Sequence, residues 1–397
     1  MSQGESPLYG PLIRSFRDLT EHGSDLRGPV VTLFSGGLDS SYLLLRLVQA
    51  GASDVHAVSI DLGGDETSEE KARIAEKIGV RFHHVDARSE FAELYVRPAI
   101  AAHGVYLDTH PVSSTLSRPL LAKTVMGVAE EIGATGILHT ANRSQNSLRR
   151  LNGALGLLGF RGTYGSPYDL DPVDRGRKMH ELMAAGVDEM ATRAVSSDSN
   201  LWCREFESGL LDDPEAHAVP EEFYRWSRLR DVTASDHVEI TFVGGNPVAV
   251  DGEKLELEAL IEALNTRAGA FGLGRYSGLE HLADGSKVLE IREMPAACLL
   301  LASRRHLETA VLEAETLREK IGVEQVWVRE ALEGRWFGEL RLACQAFVDT
   351  CLEKVSGTVG WRLSAGQAET TSIIAEHPRY LRDREAWERR SIAAELR

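Results

Sequence analysis

From residue 29 onward, short β-branched runs alternate with amphipathic stretches joined by few residues, a rhythm that restricts the chain to a parallel, doubly wound α/β sheet. Residues 29–34 read as a buried strand and 38–50 as a helix closed by Gly51. Residues 55–60 read as a second strand, 66–78 as a helix with acids at its front and Gly79 behind it, and 81–85 as a third strand. A longer helix is expected over 117–132 and another buried strand over 135–139. The rhythm changes after about residue 155, where Gly156, Gly159, Gly162 and Gly165 punctuate a loop ending at Pro167. Beyond it the pattern predicts a helix over 172–185 and a hairpin of 238–242 with 247–250 around Gly244-Gly245-Asn246. Helices over 255–264, 307–320 and 340–352 follow, then a strand over 358–363 and a charged terminal helix over 380–397. That last helix has too little apolar face to stand alone and is expected to pack on another subunit.

Composition narrows the class. Of the 397 residues, 43% are hydrophobic and 26% charged, ordinary values for a globular protein, and the length suits two domains. No apolar run approaches the roughly 20 residues needed to cross a bilayer. Residues 1–28 carry no apolar signal-peptide core, so a cytoplasmic protein without membrane partners is expected. Cys203, Cys298, Cys344 and Cys351 form no CxxC pair and no zinc spacing, and read as small hydrophobes in a reducing compartment. A formal charge of −16 repels phosphate backbones and argues against a nucleic-acid partner.

Chemistry first becomes legible at Ser35-Gly36-Gly37-Leu38-Asp39-Ser40, placed directly after the first strand and opening the first helix. Binding a phosphate there needs free backbone N–H groups, glycines that permit close approach, and a helix N-terminus behind them. The loop is not a Walker A sequence, because Gly-Lys-Ser/Thr is missing, and it lacks the third glycine of the dinucleotide fingerprint. Its order is that of the pyrophosphate-binding loop of ATP pyrophosphatases. The bland alternative, a helix merely capped by Ser35 or Asp39, does not require two glycines in the first turn. Asp61-Leu62-Gly63-Gly64 falls at the same carboxyl edge, where open sheets bind ligands.

With that loop placed, residues 30–365 resemble the argininosuccinate synthase family. His110-Pro111-Val112-Ser113-Ser114-Thr115-Leu116-Ser117-Arg118-Pro119 is similar to the family's Tyr-Pro-Leu-Gly-Thr-x-Leu-Ala-Arg-Pro. Ser196-Ser197-Asp198-Ser199-Asn200-Leu201-Trp202 with Leu211-Asp212-Asp213-Pro214 follows Ser-x-Asp-x-Asn-Leu-Trp and Leu-Glu-Asp-Pro. Gly272-Leu273-Gly274-Arg275 with Glu280 follows Gly-Val-Gly-Arg and Glu. Glu293-x-Pro295, His306-Leu307-Glu308, Gly334-Arg335-Trp336-Phe337 and Val355-Ser356-Gly357-Thr358-Val359 complete the family's order.

The resemblance implies a ligase. The ureido oxygen of citrulline attacks the α-phosphorus of Mg-ATP, pyrophosphate leaves, and the amine of aspartate displaces AMP from the adenylate. It implies catalytic roles for Asp39, Ser40 and Asn146, and ATP contacts from Ser35, Gly36, Gly37, Leu38, Asp39, Ser40, Ser41, Asp61, Gly63, His139 and Thr140. Substrate contacts are implied for His110, Thr115, Arg118, Asn142, Asn146, Ser147, Arg150, Ser196, Glu205, Glu280 and Arg292. Cofactors would be ATP and Mg2+, the latter carried by the nucleotide and not by a protein cluster. The implied organisation is an extension (1–28), a nucleotide-binding domain of pyrophosphatase-loop type (29–167), an α+β substrate and multimerisation domain (168–365) and a helical arm (366–397), assembled as a homotetramer.

Two pockets depart from the family pattern. The family's substrate loop reads His-Gly-x-Thr-Gly-Lys-Gly-Asn-Asp-Gln-Val-Arg-Phe-Glu, and here residues 139–152 have lost all three glycines and the lysine. Among the aspartate-holding positions, Thr has become Asn142 and Asp has become Ser147, while Asn146 matches. In the citrulline pocket Thr115, Asn146, Arg150, Ser196 and Glu280 match in kind, but a tyrosine has become His110, a serine Glu205 and a second tyrosine Arg292. A new carboxylate and a new guanidinium in one pocket read either as a compensating ion pair or as a changed ligand, with Arg292 meeting a carboxylate or Glu205 an amine. The expectation is a divergent ligase that adenylates a ureido or carboxyl group and joins it to an amine in specialised metabolism. True argininosuccinate synthesis, a non-catalytic ATP-binding paralogue and a tRNA-modifying enzyme are the alternatives. Arg118 and Lys123 read as phosphate holders or as structural residues, His83 and His84 as strand residues rather than metal ligands, and Trp202 and Trp336 as core anchors.

Overall fold

The computed structural model describes residues 10–21, 28–64, 68–188, 196–207, 211, 213–231, 233–282 and 284–395. The first part of the chain runs β1 (Leu12–Ile13), α1 (Asp18–Glu21), β2 (Val30–Leu33), α2 (Leu38–Gln49), β3 (Val55–Asp61), α3 (Ser68–Ile78) and β4 (Arg81–Asp86). A helix in three joined pieces follows: α4 (Arg88–Phe91), a π-helical turn (Ala92–Val96) and α5 (Arg97–Ala101). Then come the short hairpin β5 (Val105–Tyr106) and β6 (His110–Pro111), α6 (Ser114–Ile132), β7 (Gly136–Leu138), α7 (Ser147–Leu157), β8 (Thr163–Gly165) and α8 (Arg175–Ala184).

Six of these strands form one parallel sheet in the order β1-β8-β7-β2-β3-β4. Val30, Val31, Ala57, Val58, Ile137 and Leu138 are fully buried, as expected of strands covered by helices on both faces. From β2 the chain proceeds to β3 and β4 on one side, and later returns to β7 and β8 on the other. The switch point therefore lies between the carboxyl ends of β2 and β7, where doubly wound sheets open a crevice for ligands.

The second part contains β9 (Ser196–Ser199), β10 (Arg204–Glu207), β11 (Asp236–Val243), β12 (Asn246–Val250), β13 (Glu253–Lys254), α9 (Leu257–Gly269), β14 (Arg275–His281) and β15 (Lys287–Glu293). After these come α10 (Pro295–Val311), α11 (Ala314–Leu332), α12 (Glu339–Leu352), β16 (Gly357–Ser364), β17 (Gln367–Ala375) and α13 (Arg384–Glu395). Two antiparallel sheets result, β14-β15-β10-β9 and β13-β12-β11-β16-β17. The smaller sheet is anchored by Glu293, fully buried at the end of β15. Its carboxylate accepts hydrogen bonds from Arg204 Nη1 at 2.7 Å, from the backbone N–H of Trp226 and Ser227, and from Ser227 Oγ.

Several expected boundaries move. Residues 12–13, assigned to an extension, add an edge strand because their backbone completes the open side of β8. Helix α8, placed beyond the boundary at 167, folds back on α2, where Tyr42 donates to Glu181 at 3.1 Å. Residues 367–375 pair with β16, so the separate C-terminal element is α13, which buries none of its residues. The helix expected over 307–320 straddles α10 and α11, because Leu312 and Glu313 are extended between them. Residues 147–157, read as loop, form α7, and the start of the helix expected from 66 lies outside the described residues. The two parts meet at Gly63, whose φ is +81° and where a Cβ would stand 2.8 Å from that of Leu201. Beside it the Leu201 N–H donates to the Leu62 carbonyl at 2.7 Å. One core cluster contains Phe91 and Leu116 from the first part with Trp202, Leu260, Leu300 and Trp327 from the second.

Candidate functional site

The loop after β2 is shaped by its glycines. Gly36 has φ +73°, a left-handed conformation that costs an L side chain about 1–2 kcal/mol. Gly37 then occupies the N-cap position of α2 in extended conformation, with no side chain capping the helix. The Ser35 hydroxyl lies 3.2 Å from that of Ser40, which donates to the Gly37 carbonyl at 3.1 Å, while the Gly37 N–H reaches Ser35 Oγ at 3.3 Å. Such a turn at the start of a long helix is an anion cradle. Ser41 Oγ, buried at the fourth residue of the helix, has no hydrogen-bond partner among the described residues. Asp39 forms an ion pair at 2.5 Å with Lys178 of α8, and Tyr168 Oη donates to the Asp39 carbonyl at 3.0 Å.

His139 and Thr140 leave the end of β7, across the switch point from that loop. The Ala141 N–H donates to His139 Nδ1 at 3.3 Å, which leaves the imidazole proton on Nε2 facing Asn152 Oδ1 at 2.9 Å. Burial lowers the His139 pKa to about 4, so the ring is neutral near pH 7. Asp61 closes the crevice beyond β3, its carboxylate accepting the Gly63 N–H at 2.8 Å. The nucleotide residues expected from the sequence thus gather at the carboxyl ends of β2, β3 and β7. Lys178 was not among them.

The second group lies on one face of the small sheet. Register places Asp198, Glu205, Arg292 and Tyr276 in a single row across β9, β10, β15 and β14. Arg118 from α6 forms an ion pair with Asp198 and donates to Ser147 Oγ at 2.9 Å. Arg292 is held by Glu290, through Nε at 3.1 Å and also through Nη2, and by the Pro111 carbonyl through Nη1 at 3.2 Å. Its Nη2 is 3.5 Å from Glu205. Arg150 of α7, 1% exposed, donates to Glu280 at 3.2 Å and to Ser114 Oγ at 2.7 Å. His110 packs on Tyr276 with ring centroids 4.7 Å apart; burial and the Arg292 charge lower its pKa to about 3. Thr115 is buried at the start of α6.

Four carboxylates (Asp198, Glu205, Glu280, Glu290) thus share this face with three guanidiniums (Arg118, Arg150, Arg292). Burial raises both Glu205 and Glu290. Burial opposes ionisation of Glu280 too, but a hydrogen bond from Glu290 and the Arg150 and Arg292 charges bring it down to about 2. The pair's proton therefore resides on Glu290. Glu205 Oε1 and Asn146 Oδ1 are buried without a hydrogen-bond partner among the described residues, although the Asn146 amide nitrogen donates to the His281 carbonyl at 2.9 Å.

Not every expected contact joins this group. Asn142 turns onto its own loop, accepting from the Ser144 N–H and hydroxyl at 3.0 and 2.7 Å. Ser147 is occupied by Arg118, and Lys123 pairs with Glu90 at 2.7 Å instead of reaching a phosphate position. The backbone of Ser196 is in β9, but its side chain lies outside the described residues, as does Asp212. His83 hydrogen-bonds His56 at 2.8 Å on neighbouring strands, and no metal-holding group of His, Cys, Asp or Glu occurs among the described residues. Glu290 and Tyr276 were missed. The available signal was the two-residue alternation of Glu290 with Arg292 in β15, which puts both on one face.

Comparison with known proteins adds the following. Residues 29–155 match the model for the arginosuccinate synthase N-terminal HUP domain, and residues 195–390 that for the arginosuccinate synthase C-terminal domain. The chain is 36% identical to the argininosuccinate synthase of Rubrobacter xylanophilus, covering 89% of this chain and 87% of that one. It is equally 36% identical to one from Dehalococcoides mccartyi, covering 85% and 84%. Among solved structures, the NMN synthetase of Francisella tularensis overlaps 45% of this chain and 71% of its own at 11% identity with a TM-score of 0.31, too slight a likeness to bear on function.

Proposed function

Since the chain belongs to the argininosuccinate synthase family, we propose that it is an ATP-dependent ligase of that family, forming a C–N bond with release of AMP and pyrophosphate, whose substrates depart from citrulline and aspartate. ATP, carrying Mg2+, occupies the crevice at the β2–β7 switch point. The Ser35–Ser40 turn receives the departing pyrophosphate, with Asp61, Gly63, His139 and Thr140 around the rest of the nucleotide. A ureido or carboxyl oxygen of the other substrate attacks the α-phosphorus, and an amine then displaces AMP. The histidines nearest the chemistry are neutral at pH 7 with pKa values of about 4 and 3, far from the range of an efficient general acid or base. The protein's contribution is therefore orientation and charge stabilisation.

The observation that carries the departure is the buried row containing Glu205 and Arg292, where the family pattern has a hydroxyl and a phenol. The substrate-loop positions support it, since Asn142 bonds its own loop and Ser147 bonds Arg118. A second reading, argininosuccinate synthesis itself, is favoured by the 36% identity over 89% of the chain and by the matching Thr115, Asn146, Arg150 and Glu280. Pyrophosphate release with citrulline and aspartate, each omitted in turn, and then over a panel of ureido acids and amines, separates the two. A citrulline–aspartate rate that no other pair exceeds establishes the second reading. ATP binding without AMP formation from any pair overturns both.

The same reading includes a nucleotide-binding unit, a substrate unit and a terminal arm assembled as a homotetramer. It rests on α13, which buries none of its residues and exposes Trp387 and Ile392. Among the described residues no helix is long and apolar enough to cross a membrane.

A further inference from the structure

We infer that Lys71 of α3 is a phosphate-binding residue of the reaction, its ammonium meeting the β- and γ-phosphates and taking up the charge that gathers on pyrophosphate as it leaves. The inference rests on the ligase reading and adds to it a cation that the Ser35–Ser40 turn itself lacks.

Placement carries the argument. Helices that follow the strands of a parallel sheet begin at its carboxyl edge, so α3 (Ser68–Ile78) starts on the edge where the turn after β2 lies. Lys71 closes the first turn of α3 and is half-buried. Its stem lies across Gly36. A Cβ built on Gly36 would stand 2.8 Å from Lys71 Cγ and 3.6 Å from both Cδ and Cε. The lysine stem thus takes the place of a side chain at 36, a second reason for glycine there beside its φ of +73°. Nζ is one bond beyond Cε, which brings the ammonium to the turn that forms the anion cradle. The base of the stem is fixed, because Ile74 and Ala75 of α3 are fully buried in one cluster with Leu43, Leu44 and Leu47 of α2.

Charge gives that placement its use. As the acceptor oxygen bonds to the α-phosphorus, the bond from that phosphorus to the α–β bridging oxygen breaks. Its electron pair leaves with pyrophosphate. The turn offers hydroxyls, N–H dipoles and the acid Asp39, but no formal positive charge. Lys178 sits on Asp39, and Arg143 on Asp169. Lys71 has an interaction partner of its own as well. What distinguishes it is the stem already spanning Gly36, from which a flexible ammonium turns to a phosphate without any movement of its helix. There it acts by charge on the leaving group and transfers no proton.

The experiment uses the full chain and three variants. Lys71→Met keeps the stem and loses the charge, Lys71→Gln does so with a polar end, and Lys71→Arg keeps the charge. Calorimetric titration with pyrophosphate, ATP and AMP, Mg2+ present, should show about tenfold weaker pyrophosphate and ATP in Lys71→Met and Lys71→Gln. AMP, which lacks the β- and γ-phosphates, should stay within about twofold, and Lys71→Arg should bring pyrophosphate back to within about threefold of the natural chain. A stem that only packs on Gly36 is preserved in Lys71→Met. Unaltered pyrophosphate affinity in that variant, an equal loss for AMP, or no pyrophosphate binding by the natural chain therefore overturns the inference. Pyrophosphate release over the panel of acceptors and amines keeps the two readings apart. The expected losses without release from any pair remove the ligase reading and leave Lys71 as a phosphate ligand. Release that Lys71→Met leaves unaltered, in kcat and in KM for ATP, does the reverse.

Discussion

At the scale of single residues, conformation and protonation are set by what surrounds each atom. The Ser35–Ser40 turn was legible because Gly36 advertises a φ that other residues avoid, so its identity carries its geometry. Lys178 was not legible. A lysine on a polar helix face reads as solvated, and only the folding of α8 onto α2 brings it to Asp39 from far along the chain. His139 offers a test of burial. Its folded pKa of about 4 lies below the unfolded value near 6.5, so the unfolded chain binds more protons between those limits. Stability from this residue is complete above pH 6.5 and is lost as pH falls toward 4, by about 3 kcal/mol. Urea unfolding across that window should show a smaller loss for His139→Asn than for the natural chain. Equal losses would mean that His139 titrates normally.

At the scale of elements, four of the six strands of the first sheet could be read, since buried parallel strands are continuous apolar runs, whereas β1 and the three-residue β8, inside the stretch read as a glycine-rich loop, could not. The small sheet β14-β15-β10-β9 could not. Two of its strands have four residues each and one face of the sheet is charged, so Ser196–Ser199 and Arg204–Glu207 look like loop in the sequence. Helix α7 was hidden by Gly153 and Gly156, which weaken a helical pattern. The packing of α8 on α2 has its own expected consequence. Lys178→Met leaves the Asp39 carboxylate without its 2.5 Å partner beside an anion cradle, and the released negative charge opposes the nucleotide phosphates. The apparent affinity for ATP should fall by about tenfold in a titration, with the unfolding midpoint little changed. Unaltered ATP affinity would show that Asp39 and Lys178 act away from the phosphates.

At the scale of the molecule, one core cluster runs through both parts, and the glycine-tight junction of Gly63 with Leu201 joins the large parallel sheet to the second part of the chain. Sequence patterns are local, so they placed the boundary at 167 while α8 crosses back over it and residues 12–13 join the sheet from in front. The exposed α13 makes a prediction at this scale. A chain ending at residue 382, which keeps the Arg379 bonds to Val311 and Glu313, should fold normally and elute as smaller oligomers than the tetramer expected of the full chain. Light scattering that gives the same mass for both would remove α13 from assembly. The charged row across the small sheet also bears on ancestry. Glu205 and Arg292, read above as departures from the family pattern, face each other at 3.5 Å, and Arg292 is also paired with Glu290. Arg292 without Glu205 would keep Glu290, whereas an ionised Glu205 without Arg292 would be a stranded buried charge, at about 3–5 kcal/mol, enough to threaten the fold of a marginally stable intermediate. The order is therefore constrained: the arginine, received by Glu290, can come first, and the carboxylate at 205 can only follow it.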